Sequence, residues 1–143
     1  SALVEALDVP VVGNGDVQSG ADALRMKDET GCAGVMIARG SHGSPWVFAQ
    51  ARAALDGAPI PEEPNVEERF EICLEQARNA IRFEDNPKKS LIDFRKHLGW
   101  YTKGLPGGRA LRTQLFQITS LDEVEALLEA YLARHLAGAD EAA

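Results

Sequence analysis

Two short turns rich in glycine carry the residues in this sequence that are best suited to binding chemistry. One is Gly13–Asp16, with the sequence Gly-Asn-Gly-Asp, and the other is Arg39–Gly43, with the sequence Arg-Gly-Ser-His-Gly. Glycine allows a backbone to approach a ligand closely, and the amides at a helix N-terminus attract anions. An arginine beside such amides adds charge-assisted hydrogen bonds. The two turns together therefore predict a phosphate site.

Each turn follows a segment with the composition of a strand. The first is the β-branched run Val9–Val12, and the second is the apolar run Ala33–Ala38, which suits a parallel sheet covered by helices on both faces. Ser19 and Asp22 predict the beginning of a helix between the strands, and Gly31 predicts its end. This order predicts two parallel strands joined by a crossover helix. Glycine-rich turns after two such strands match the phosphate site of a (β/α)8 barrel.

Further helices and a linker flank this segment. Residues 1–8 are typical of the end of a helix, and residues 45–55 predict another, with Pro45 at its first position. Three prolines within residues 57–64 indicate a linker, which we interpret as the domain boundary. The N-terminal region is therefore predicted to span residues 1–56.

Residues 65–143 have helical periodicity throughout. We expect four helices joined by short loops, which make a small four-helix bundle. Capping, proline or glycine signals mark their beginnings near Asn65, Pro87, Arg109 and Ser120, and the third helix is expected to run to about Ile118. The apolar residues expected to face the core of this bundle are Val66, Phe70, Cys73, Leu74, Ala77, Ile81, Leu91, Phe94, Leu98, Tyr101, Leu111, Leu115, Ile118, Val124, Leu127, Leu128, Tyr131 and Leu132.

A sheet of two parallel strands is incomplete, because such sheets usually contain four or more strands. Three explanations are open: the chain is a piece of a longer protein, a second copy completes the sheet, or the strand assignment is wrong. The first residue is Ser1 rather than methionine, which favours the first explanation. Open strand edges attract partners, so we also expect residues 1–56 to self-associate or to be poorly ordered.

Composition and charge exclude some classes of protein. Of the 143 residues, 45% are apolar and 26% are charged, which indicates a soluble globular protein. The sequence has no apolar run long enough to cross a membrane and no signal peptide, so we expect a cytoplasmic protein without a membrane partner. The two cysteines cannot make a disulfide framework. The net charge of −7, taken alone, argues against a nucleic-acid partner.

The distribution of charge reverses that last conclusion. Residues 87–118 hold seven cations and one anion, Asp93, for a local charge of +6, and the rest of the chain carries −13. Such asymmetry favours a polyanion partner, although a solvated helix surface rich in lysine would have the same composition. The seven cations are Lys88, Lys89, Arg95, Lys96, Lys103, Arg109 and Arg112.

Four segments, in order along the chain, resemble tRNA-dihydrouridine synthases. Val9–Asp16, Thr30–Gly40 and Gly43–Phe48 resemble the end of the barrel in that family, and Arg95–Tyr101 is similar to the motif of its helical domain. The resemblance covers nearly the whole chain. It is strongest to the bacterial branch described as nitrogen-regulation-like proteins.

The resemblance implies a fold and an activity. These enzymes have an N-terminal FMN-binding barrel and a C-terminal helical domain that helps to bind tRNA. NADPH reduces FMN, the flavin delivers hydride to C6 of a flipped uridine, and a cysteine protonates C5. By this resemblance, residues 1–56 are the last two β/α units of the FMN-binding TIM barrel, 57–64 are a linker, and 65–143 are the tRNA-binding domain.

The resemblance also assigns roles to individual residues. Asn14, Gly15, Asp16, Ala38, Arg39 and Gly40 would contact the phosphate region of FMN. The family usually has glycine where this chain has Ala38, and a methyl group is compatible with a negative φ there. The residues expected to contact tRNA are the seven cations and His97: Lys88, Lys89, Arg95, Lys96, His97, Lys103, Arg109 and Arg112. Such contacts to phosphates give affinity that weakens with salt.

We expect no catalytic residue and no metal ligand in this chain. The family's catalytic cysteine lies in an earlier barrel loop, so Cys32 and Cys73 are interpreted as small buried residues and the chain alone as inactive. His42 is expected in an exposed loop, and Trp46, Trp100 and Tyr101 in the core. Two alternatives stay open: the end of another FMN-binding or phosphate-binding barrel, and a helical interaction module without catalysis.

Overall fold

The computed structural model describes residues 2–140, apart from the side chains at positions 87 and 135–140. The chain divides between Glu63 and Pro64 into two units. No helix within the described residues combines the length and the apolar character needed to cross a bilayer. In chain order the elements are α1 (Ala2–Ala6), β1 (Val12–Asn14), α2 (Gly20–Thr30), β2 (Gly34–Met36), a 3₁₀ turn (Arg39–Ser41), α3 (Val47–Leu55), α4 (Val66–Arg82), α5 (Pro87–Tyr101), α6 (Gly108–Leu115) and α7 (Leu121–Asp140).

The first unit contains the predicted pair of parallel strands, β1 and β2, with α2 between them in sequence. Val12 lies opposite Gly34. Both strands are shorter than predicted, and β1 lies later in the chain. Pro10 has no N–H to donate, so pairing begins only at Val11, whose carbonyl accepts from Ala33 N over 2.8 Å.

Only one face of this sheet is covered within the described residues. The core on that face is formed by Val17, Ala23 and Ala51, with Met26, Val35 and Ile37 packed against it. Val12 and Met36 are instead 62% and 52% exposed. The prediction that Ala33–Ala38 is covered on both faces is therefore wrong for the described residues, because they supply no second layer.

Helix α2 has the beginning and the end that its sequence predicts. The Ser19 hydroxyl accepts from Asp22 N over 3.1 Å, and the Asp22 carboxylate accepts from Ser19 Oγ and Gln18 N. Gly31 ends the helix with a φ of 69°, and its amide donates to the Lys27 carbonyl.

Helix α3 begins two residues later than predicted. Pro45 lies before the helix rather than at its first position, because the first helical amides donate to carbonyls three residues earlier. Trp46 is the N-cap, and its ring is half-buried rather than part of the core. Helix α3 packs closely on α2 because Gly20 has no side chain: a Cβ there would lie 2.6 Å from Gln50 O.

The second unit consists of helices α4 to α7 around a shared apolar core. Helix α4 lies against α5 and α7, and α6 also contacts both of them. The capping box predicted for Asn65 and Glu68 is present, with reciprocal hydrogen bonds of 3.0 and 2.9 Å. Among the described side chains of this unit, the buried apolar residues are Phe70, Cys73, Ala77, Leu91, Phe94, Leu98, Tyr101, Leu111, Leu115, Ile118, Val124, Leu128 and Tyr131.

The third helix of this unit is shorter than predicted. Helix α6 ends at Leu115 rather than Ile118. The α-helical hydrogen-bond pattern stops there, because Gln117 N donates to the carbonyl three residues earlier, Gln114 O, over 2.9 Å. Ile118 is nevertheless buried, as its spacing predicts.

Candidate phosphate site and candidate nucleic-acid interface

An ion pair joins the two glycine-rich turns. Arg39 Nη2 lies 2.9 Å from Asp16 Oδ1, and both side chains are largely exposed. The register of the strands explains this proximity, because Asn14 lies opposite Met36 and the two parallel strands end at the same edge of the sheet. The predicted residues therefore lie on neighbouring turns: Asn14, Gly15 and Asp16 on one, Ala38, Arg39 and Gly40 on the other.

Gly40 sets the position of the second turn. A Cβ at Gly40 would lie 2.0 Å from the carbonyl oxygen of Val17, closer than any side chain allows. The 3₁₀ turn therefore lies directly on the backbone that follows Asp16. The amide and the hydroxyl of Ser41 donate to the Ala38 carbonyl, at 3.1 and 2.8 Å, and this closes the turn. Packing alone thus requires glycine at position 40.

Gly13 has a similar packing role under the first turn. A Cβ there would lie 2.8 Å from Met26 Sδ and 3.0 Å from Cys32 Sγ. Gly13 is missing from the predicted site, although its place in the glycine-rich turn is a signal for it. At Ala38 the φ is −104°, outside the left-handed region that favours glycine.

The two turns offer one cation, one carboxylate and several amides. The guanidinium of Arg39 and the amides at the beginning of the 3₁₀ turn are donors suited to a phosphate group. The Asp16 carboxylate repels an anion, but Arg39 offsets its charge, and as an acceptor it suits hydroxyl groups. The donor set therefore fits a ligand that carries both a phosphate and hydroxyl groups, as a phosphorylated polyol does.

Both cysteines are buried, as expected of small core residues. Burial raises the pKa of the Cys73 thiol to about 12, so this thiol stays protonated at neutral pH. Among the side chains that the structure describes, no group of three His, Cys, Asp or Glu is placed to hold a metal ion.

The seven cations of residues 87–118 lie on α5, on α6 and on the turn between them. Two of them are half-buried and hold the backbone: Arg95 Nη2 donates to Ile118 O, and Arg112 Nη1 donates to Thr102 O over 2.9 Å. The exposed members are Lys88, Lys89, Lys96, Lys103 and Arg109. The exposed cations are therefore the ones placed to reach a polyanion without disturbing the fold.

His97 belongs to a column of aromatic rings on α5. Its ring stacks on Phe94, with centroids 5.0 Å apart, and meets Trp100 edge-on at 4.8 Å. Trp100 is half-buried, whereas Tyr101 is fully buried and donates to Gln76 Oε1 over 2.8 Å. His97 is thus packed between rings as well as adjacent to the cation Lys96.

A groove of about 440 Å³ lies between α4 and α5, and His97 and Lys96 help to line it. The ring of Phe83, at the end of α4, also lines it and is 80% exposed. The guanidinium of Arg82 lies 5.7 Å from the centre of that ring. Phe83 is absent from the predicted site, because it lies outside the apolar spacing of α4 and precedes the basic segment.

The fold consists of a β/α unit with two neighbouring glycine-rich turns, followed by a helical unit in which residues 87–118 are basic. The family model described as dihydrouridine synthase matches residues 1–136. The chain therefore belongs to the dihydrouridine synthase family.

Curated relatives agree with this assignment. The chain is 40% identical over 121 residues to a "Probable tRNA-dihydrouridine synthase" of Mycobacterium tuberculosis. The aligned segment covers 85% of this chain and 31% of the relative. A protein of Synechocystis named "Probable tRNA-dihydrouridine synthase 1" is 38% identical over 87% of this chain and 35% of its own length. The "tRNA-dihydrouridine synthase B" of Pasteurella multocida is 31% identical over 91% of this chain and 39% of its own. The chain thus spans about a third of the length of these relatives.

Proposed function

We propose that the chain is the C-terminal part of a tRNA-dihydrouridine synthase, an oxidoreductase that reduces uridines in tRNA to 5,6-dihydrouridine. The family match over residues 1–136 carries this proposal. The names of the relatives and their greater length support it. In this proposal residues 1–56 are the last two β/α units of a barrel, residues 57–64 are a linker, and residues 65–143 are a four-helix domain that binds tRNA.

The first unit holds the phosphate end of FMN in this proposal. When bound and reduced by NADPH, FMN would supply hydride to the uracil ring. Arg39 and the amides of its turn bind the phosphate, and Asp16 accepts from a ribityl hydroxyl. The fit of this donor set to a phosphorylated polyol supports the assignment. Asn14, Gly15 and Ala38 contribute backbone at the same turns.

The second unit contacts tRNA phosphates in this proposal. The exposed side chains Lys88, Lys89, Lys96, Lys103 and Arg109 give affinity without reading sequence. Arg95, Arg112 and His97, which are half-buried, complete the set of residues proposed to contact tRNA. The burial of Cys32 and Cys73 supports the proposal that the cysteine which protonates C5 is not in this chain, so that the chain alone does not catalyse the reaction.

Binding of unmodified tRNA by the full chain, measured against salt concentration, tests the RNA role. We expect affinity that falls steeply with salt. The slope should decrease by about one in Lys96→Ala and in Lys103→Ala, because each variant removes one cation that faces a phosphate. Lys27→Ala, an exposed lysine of the first unit, is the matched control and should leave the slope unchanged. Absence of tRNA binding at low salt would refute the role.

Flavin content tests the FMN role of the first unit. We expect the purified chain to be colourless, because only part of a flavin site is present. Titration with FMN against riboflavin, which lacks the phosphate, should show weak binding of FMN alone, and Arg39→Gln should abolish it. Equal binding of both flavins would contradict the phosphate assignment.

A further inference from the structure

The groove between α4 and α5 has features that phosphate contacts do not explain. The Phe83 ring at its edge is 80% exposed, and the groove measures about 440 Å³. Asp93 lines the groove. It is the one acidic residue within residues 87–118, which also hold seven cations. A surface that served only phosphates would gain nothing from a carboxylate at this point.

The lining combines a flat ring with hydrogen-bonding groups of both kinds. Phe83 supplies an exposed ring, and Asn79 supplies a carboxamide that donates and accepts. Asp93 accepts from N–H groups, and His97, held by stacking on Phe94, closes the groove on the α5 side. Lys96 and Arg82 add positive charge nearby. A neutral planar ring with N–H and C=O groups, attached to a phosphate backbone, matches this set.

We propose that the groove between α4 and α5 binds one unpaired RNA base, with Phe83 as the stacking surface and Asp93 as an acceptor for its N–H groups. This inference rests on the proposed RNA function of the second unit and goes beyond it, since it assigns a base subsite in addition to phosphate contacts. Unpaired bases stack on exposed aromatic rings, whereas bases within an RNA duplex are not accessible to them.

Carboxylates favour a base over a phosphate as the occupant of this groove. Glu84 and Asp93 line it together with a single lysine, Lys96, so the groove itself is not cationic. A phosphate would be repelled there, but the phosphates flanking a bound base would reach the exposed lysines of α5. An apolar peptide is a poorer fit, because it would leave these carboxylates without partners.

The test compares two RNAs binding to the full chain: an unstructured single strand of about 12 nucleotides and a duplex of the same length. We expect Phe83→Ala to weaken binding of the single strand about 10-fold and to change duplex binding less than about 2-fold. Phe48→Ala, an exposed phenylalanine of the first unit, is the matched control and should change neither. Phe83 is so exposed that its replacement should not affect folding.

A second variant gives a direct optical readout. Phe83→Trp should keep the affinity for the single strand, and its fluorescence should be quenched by that RNA and not by the duplex. Equal effects of Phe83→Ala on both RNAs, or no quenching in Phe83→Trp, would overturn the base subsite while leaving the phosphate contacts intact. Failure of the wild-type chain to bind either RNA would overturn the proposed RNA function itself.

Discussion

The two units differ in how much of their own apolar surface they bury. In the second unit, helices α4 to α7 enclose rings and branched side chains such as Phe70, Leu98 and Leu115, all nearly inaccessible to solvent. The first unit has a small core and leaves Val12 and Met36 of its strands exposed. Because apolar burial is the main favourable term in folding, we expect the second unit to be the more stable of the two.

The largest expected effect tests the core of the second unit. Phe70→Ala removes a buried ring that packs edge-on against Tyr131, with centroids 5.6 Å apart. We expect the free energy of unfolding of that unit to fall by about 3–5 kcal/mol, measured by urea denaturation. The counterpart in the first unit, Val12→Ala, should cost less than about 0.5 kcal/mol because the side chain is exposed. If both variants lost similar free energy of unfolding, the two units would not differ in how much their apolar side chains stabilise them.

The next effect tests the packing between the two turns of the first unit. Gly40→Ala forces the new Cβ against the Val17 carbonyl, and we expect a loss of about 1–3 kcal/mol in the stability of that unit. Gly15→Ala is the matched control, since a Cβ there meets only Met26 Cε at an ordinary 3.5 Å. Amide hydrogen exchange at the 3₁₀ turn provides the measurement. Unchanged protection in Gly40→Ala would mean that the turns are not held by this contact.

Self-association tests the open sheet of the first unit. We expect the chain to form larger species as its concentration rises, since uncovered strands and exposed apolar side chains attract one another. Met36→Lys should shift this equilibrium towards monomer, whereas Phe83→Lys in the second unit should not. Sedimentation velocity over a range of concentrations measures it. A wild-type chain that stays monomeric throughout would contradict the expectation.

The smallest effect concerns acid stability at the helix N-termini. The hydrogen bond from Ser19 holds the pKa of Asp22 below its ordinary value of 3.8, helped by the Gln18 amide. A carboxylate whose pKa is lower in the folded state than in the unfolded state stabilises the fold at pH values above its unfolded-state pKa. This contribution to stability is lost as the pH falls through the folded-state pKa. Glu123 in the second unit has a pKa lowered by Thr119 in the same way. NMR titration should find both carboxylates titrating below their ordinary values, and Ser19→Ala should return the pKa of Asp22 towards 3.8.

Local signals in the sequence predicted the helices better than the sheet. The capping residues Asn65 and Glu68 are three residues apart, and Gly31 at the end of α2 bonds Lys27, four residues earlier. Signals this local are sufficient to predict where a helix begins or ends. The coverage of the sheet depends on elements distant in sequence. The apolar run Ala33–Ala38 predicts cover on both faces of the sheet, whereas the described residues cover only one.

The candidate sites were predictable to different degrees for the same reason. Glycine-rich turns after strands indicated the neighbouring positions of Asp16 and Arg39, but the ion pair between them depends on side-chain geometry. Composition could not separate Arg95, which holds a carbonyl, from an exposed lysine such as Lys103. Phe83 was not predicted because it lies outside the apolar spacing of α4, and the sequence alone does not show that its ring is exposed.

The hydrogen bonds that Arg95 and Arg112 make to backbone carbonyls have a consequence for association. Arg112 on α6 reaches back to Thr102 at the end of α5, and Arg95 on α5 reaches forward to Ile118 beyond α6. These two hydrogen bonds connect α5 and α6 at the turn between them and again beyond the end of α6. The main chain that carries Lys96, Lys103 and Arg109 is therefore ordered before any partner arrives, and binding need not incur the entropic penalty of arranging it.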